Sequence, residues 1–146
     1  MSTRCNIAFY DKKPEKLEKF EVLLYRHSDG YPKGVLPEIM PFLKGFKKKR
    51  GLNDIEYVSA RLLQHLCNEY DGIMKPLELK NGHNEKLIFT GILGYGICNQ
   101  FHGDIEYLYV IYPNKVEVYD IGKECFDEKY DLKDINKAKL IETETI

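Results

Sequence analysis

The segment from Glu106 to Tyr119 constrains this chain more than any other. Glu-Tyr-Leu-Tyr-Val-Ile-Tyr is a strongly β-favouring run. Pro113-Asn114 interrupts it, and Lys115-Val116-Glu117-Val118-Tyr119 then returns with period-two alternation. Two such runs joined by two turn residues predict a β-hairpin, and hairpin-linked strands favour an antiparallel sheet. At 146 residues with 43% hydrophobic content the chain has the size and apolar share of one domain with a real core, so residues 1–146 are read as one unit.

The rest of the chain supplies the sheet's partners. Arg4 to Tyr10 reads as a strand, with Ile7 and Phe9 alternating with Asn6 and Ala8. Asp11-Lys12-Lys13-Pro14 breaks it, and Phe20 to Tyr25 is a second, largely apolar strand that predicts burial on both faces. Leu36, Ile39, Met40 and Leu43 recur at helical spacing. Pro37 suits a first turn, and Pro41 predicts a kink or a later start. Lys47 to Arg50 and then Gly51 end this helix. A second helix carries the stripe Ile55, Val58, Leu62 and Leu66, with Asn53 and Glu56 at capping-box spacing and an end near Asp71-Gly72. Asn81-Gly82 marks a turn, and Leu87–Thr90 and Tyr95–Phe101 read as strands. Residues 127–146 are charged and read as a short helix or a peripheral tail. The order β-β-α-α-β-β-β defines an α+β fold, an antiparallel sheet covered by two helices.

Composition narrows the function classes. With 22 Lys+Arg against 23 Asp+Glu the net charge is −1, which argues against coating extended nucleic acid. The basic run Lys44–Arg50 is read as a solvated helix end. No apolar run is long enough for a membrane span or a signal peptide, so a cytoplasmic protein is expected. Cys5, Cys67, Cys98 and Cys125 lack close pairing and are read as small hydrophobes. His65 is read as an exposed helix position and His83 as a loop residue. The chain has 11 Tyr, 7 Phe and no Trp; tyrosine favours half-buried strands and wet concave surfaces.

One patch is the candidate site. His27-Ser28-Asp29-Gly30-Tyr31-Pro32 follows a buried strand and leads into a helix N-terminus, whose free N–H groups attract anions. His27 offers a general base or metal ligand, and Asp29 a group to orient it. A second His-x-Asp stands at His102-Gly103-Asp104, with Glu106 two residues on. If the two units meet, imidazole and carboxylate ligands suited to zinc or manganese converge. An N-terminal nucleophile at a processed Ser2, or Cys5 in its stead, is a further reading.

Thr3-Arg4, the stretch Tyr25-Arg26-His27-Ser28-Asp29-Gly30-Tyr31-Pro32-Lys33-Gly34 and the later Gly103-Asp104-Ile105-Glu106-Tyr107 resemble a group of uncharacterised small phage and microbial proteins. Members of that group open with Gly-Thr-Arg and carry Tyr-x-His-Trp-Asp-Gly-Tyr-Pro-x-Gly and Gly-Asp-x-Glu-Tyr. Ser2 stands where they have glycine, and Ser28 where they have tryptophan. The resemblance implies a shared site and no particular reaction.

The expectation is a binding module for a small anionic ligand or nucleotide. Arg4, Gly34 and the helix N-terminus after it would hold the anion, Tyr25 and Tyr31 would stack on the ligand, and Thr3, Asp104 and Glu106 would complete the site. His27 and Asp29 would be the catalytic pair of the alternative, a hydrolase. A third reading is a protein-interaction domain that uses the tyrosine-rich strand as a sheet edge, with a homodimer as one form. The spacing assigns no cofactor and no definite metal.

Overall fold

The computed structural model describes residues 2–73 and 94–146. Strand β1 (Cys5–Phe9) is the axis of the fold, and all five of its residues are buried. It lies between β2 (Val22–Arg26), which runs antiparallel to it, and β4 (Tyr107–Ile111), which runs parallel. With β3 (Tyr95–Ile97), β5 (Lys115–Asp120) and β6 (Lys139–Thr145) the sheet order is β3-β2-β1-β4-β5-β6. The α+β class holds, and four of the five strand junctions are antiparallel. The parallel β1–β4 junction departs from the fully antiparallel expectation. A long crossover lies between these strands, and such a connection lets the chain re-enter the sheet in the same direction.

Two helices cover one face: α1 (Pro32–Lys49) and α2 (Ile55–Ile73). Val35, Leu36, Ile39, Met40 and Leu43 of α1, with Ile55, Val58, Leu62 and Leu66 of α2, pack on Cys5, Ile7, Phe9, Leu24, Tyr109, Val116 and Val118. Helix α1 begins at Pro32, a full turn before Pro37, and runs through both Pro37 and Pro41. Both prolines are exposed. Their missing N–H groups therefore fall on the water side, where the unpaired carbonyls can be solvated. Gly51, at φ +84°, ends the helix as expected. The N-cap of α2 is Asp54, not Asn53: its carboxylate accepts from Tyr57 N at 3.2 Å. His65 is not a bare surface position, because it stacks on Phe42 with ring centroids 4.9 Å apart. Among the described residues no helix is long and apolar enough to cross a membrane.

The opposite face is also covered, by irregular chain. Tyr10, Leu23, Leu108, Val110 and Tyr112 pack there against Ile105, Ile121, Cys125 and Ile135. The Tyr10 hydroxyl donates to Leu17 O, and Asn136 bonds Leu17 N and the Glu18 carboxylate. Residues 127–146 are thus not a peripheral tail: Ile135 enters this second core and β6 closes the sheet. Their charge misleads because β6 joins the sheet through its backbone while six of its seven residues stay exposed, and in the covering loop Ile135 is the buried anchor.

The hairpin joins β4 to β5 through the two-residue turn Pro113-Asn114, with Tyr112 N donating to Lys115 O at 2.9 Å. Both of its strands have neighbours on either side. The tyrosine-rich strand therefore cannot be the free sheet edge anticipated above. The expected strand at Leu87–Thr90, the turn at Asn81-Gly82, and His83 lie outside the described residues.

Candidate functional site

Strand register brings the site together. Cys5 pairs with Arg26 and with Tyr107, so one position earlier Arg4 lies between His27 and Glu106. Alternation then places Arg4, Asn6, Tyr25, His27 and Glu106 on the face away from the helices. Arg4 Nε donates to His27 Nδ1 at 3.4 Å, and Arg4 Nη1 lies 3.3 Å from Asp104 Oδ2. The Tyr25 hydroxyl is 3.2 Å from the same His27 Nδ1. Both contacts fall on the one lone pair of Nδ1, and acceptance from Arg4 corresponds to the neutral ring with its proton on Nε2. The Tyr25 ring stacks on His102, with centroids 4.4 Å apart and planes 23° apart. Burial raises the Tyr25 hydroxyl's pKa and the nearby Asp104 carboxylate raises it further, against an opposing pull from Arg4.

Both His-x-Asp units therefore reach one place, yet not as a ligand set. Arg4 bridges His27 and Asp104, and its cation stands where a metal would have to approach both groups. Among the described residues no group of three or more His, Cys, Asp or Glu side chains is arranged to hold a metal ion.

Asn6, which the sequence reading passed over, organises the far wall. It is fully buried in β1. Its Nδ2 donates to Leu24 O at 2.8 Å and contacts Cys98 Sγ at 3.5 Å, while its Oδ1 accepts from His102 N at 3.1 Å. The loop carrying His102 is thus pinned to the central strand. Residues from Ile97 to Gly103 line an open depression of about 750 Å³ beside the Tyr25–His102 stack. Its size falls within the range of small-molecule sites. A polar residue inside the apolar run Cys5–Phe9 was the available signal for Asn6.

The other anticipated residues do something else. Asp29 adopts φ 53°, and its carboxylate accepts from the Tyr31 hydroxyl at 3.2 Å. That bond turns Asp29 toward the helix entry, so it is not the orienting partner of His27. Tyr31 is the N-cap residue of α1 and does not share the stack with Tyr25. Gly34 lies inside the first turn, where its N–H donates to Tyr31 O at 2.9 Å and is not free for an anion. A Cβ at Gly34 would stand 2.4 Å from Asp29 O, so glycine is needed there for close approach. Thr3 contributes its backbone carbonyl, which accepts from Gly30 N at 2.9 Å. Glu106 is exposed beside Arg4 in the register, but the ion pair of Arg4 goes to Asp104. Ser2 is exposed. Cys5 is fully buried, which pushes its thiol up to about 12 and removes it as a nucleophile.

On the helix side of the same strand end sits a buried cation. Arg26, 5% exposed, bonds Glu38 at 2.5 Å, the Tyr95 hydroxyl at 2.8 Å and Ser28 O at 2.7 Å. Burial is the largest single influence and works against its charge, but the Glu38 hydrogen bond, together with the charge interactions with Tyr95, Glu38 and Cys5, outweighs it and raises the pKa. This cluster ties β2, β3 and α1 together and fixes the backbone that leaves His27. No protein-family model, curated protein or solved structure matches the chain.

Proposed function

We propose that the chain binds a small molecule that combines a planar ring with an anionic group, of the nucleotide class. The observation that carries the reading is Arg4, partly exposed and held between His27 and Asp104, close to a Tyr25–His102 stack whose His102 lines an open depression. Arg4 offers its guanidinium to the anion, and His27 adds the N–H of Nε2. The outer faces of the aromatic pair take the ring. Binding is favoured over hydrolysis because His27 Nδ1 is occupied by Arg4 and Tyr25 and Asp29 is engaged by Tyr31. No general base with an orienting carboxylate is left among these residues.

The test is titration calorimetry with adenosine monophosphate, adenosine and inorganic phosphate. The monophosphate should bind more tightly than either half alone. Arg4→Ala should weaken it by roughly 10- to 100-fold, the scale of a lost charge-assisted bond. Absence of heat with every nucleotide monophosphate, or identical affinity in Arg4→Ala, refutes the proposal.

A further inference from the structure

We infer that the outer edge of β6 is a docking site for an extended peptide strand that carries lysine or arginine at alternate positions. Strand β6 ends the sheet, and among the described residues nothing pairs with its outer side. Six of its seven residues are exposed. A seventh strand could therefore add through the free backbone groups of this edge.

Side-chain placement identifies the occupant. Glu142 pairs with Val118 and Glu144 with Val116, and both valines face the helices. The two carboxylates thus project on the helix side, two residues apart. No ion pair within 4 Å engages either of them among the described residues. Across from them runs a groove of about 500 Å³ whose other wall is α1, with Leu36, Met40, Pro37 and Pro41. Prolines at 37 and 41 supply no N–H and leave the carbonyls of Lys33 and Pro37 without their usual helical donors. Among the described residues the groove therefore presents apolar surface, acceptors and two carboxylates, with Lys33 as the one cation in its lining. A lysine or arginine fits this lining: its stem lies on the apolar wall and its head reaches the carboxylates.

A second copy of the chain fits less well. Two β6 strands related by a twofold axis pair antiparallel, with residues of like parity opposed. Centred on 142, 143 or 144, that arrangement sets Glu142 against Glu142, Glu142 against Glu144, or Glu144 against Glu144. Like charges directly across a strand pair are destabilising, whereas lysines opposite these positions attract.

The experiment uses the full chain and a capped, fluorescein-labelled peptide of alternating lysine and valine. Its controls are the glutamate–valine counterpart and a version N-methylated at every second residue. The lysine peptide should raise anisotropy and slow amide exchange in β6, and the N-methylated one should not. The double substitution Glu142→Lys/Glu144→Lys, at surface positions and checked for an unchanged circular dichroism spectrum, should weaken the lysine peptide roughly tenfold. It should also create binding of the glutamate peptide. Failure of the lysine peptide to bind, equal binding of the N-methylated peptide, or a dimer in sedimentation that protects β6 would each overturn the inference.

Discussion

Replacing Asn6 by leucine tests the central claim, that one buried amide holds the site's loop to the sheet. The substitution keeps the side chain's size and removes every hydrogen bond it makes. Two bonds of good geometry disappear, to Leu24 O at 2.8 Å and from His102 N at 3.1 Å, and the Cys98 contact is weaker. Stranding Leu24 O and the His102 amide costs about 1 kcal/mol each. A loss of roughly 2 kcal/mol is expected, which for a chain of this size lowers the melting temperature by about 4–8 °C. Asn6→Asp should cost more, because it buries a carboxylate and sets it against Leu24 O. Urea unfolding followed by circular dichroism measures the loss, and native-state hydrogen exchange locates it. The His102 amide should exchange markedly faster in Asn6→Leu, relative to the global stability, while that of Tyr109 tracks global unfolding. Wild-type stability together with unchanged protection at His102 would refute the reasoning.

Other outcomes follow from the same geometry. Glu38→Ala strands the buried Arg26 and should cost about 2–3 kcal/mol, whereas Arg26→Met/Glu38→Leu should recover most of that in urea unfolding. A double variant no more stable than Glu38→Ala would speak against a stranded charge. Gly30→Ala would bring a Cβ to 2.9 Å from Thr3 O and 3.0 Å from Cys5 Cβ, so a loss of about 1–3 kcal/mol is expected in thermal unfolding. A neutral result would mean that the loop yields freely. Burial pushes the Cys5 thiol from its ordinary 9.0 up to about 12. The unfolded thiol ionises first as pH rises, so this contribution is whole below about pH 9 and is lost as pH climbs toward the folded value. Cys5→Val should flatten the alkaline fall in stability by up to roughly 1.4 kcal/mol per pH unit between about pH 9 and 11. An unchanged slope would remove Cys5 from that account.

The register that assembles the site also explains how the sequence reading divided. His27, Arg4, Tyr25 and Asp104 were visible as residue types, because strand ends and Gly-Asp turns advertise exposed polar groups. Asp29, Tyr31 and Gly34 carried the same signals and serve to start α1 instead. The sequence could not separate the two roles, since both need polar and small residues where strand gives way to helix. Gly30 illustrates the point. The Asp-Gly pair reads as a turn in which glycine takes the left-handed conformation, yet Asp29 takes it and Gly30 is needed for close packing against Thr3 and Cys5.

By itself the sequence determined the local elements. Periodicity reports which side of a segment is apolar, and that sufficed for β1, β2, both helices and the β4–β5 hairpin. Periodicity does not say what each apolar side meets. Only the tertiary structure decided that β4 joins β1 in parallel, that the charged C-terminal stretch closes the sheet as β6, and that Arg4 lies between His27 and Asp104. These depend on pairing between segments far apart in the chain, whose register is fixed by the packing of both sheet faces at once.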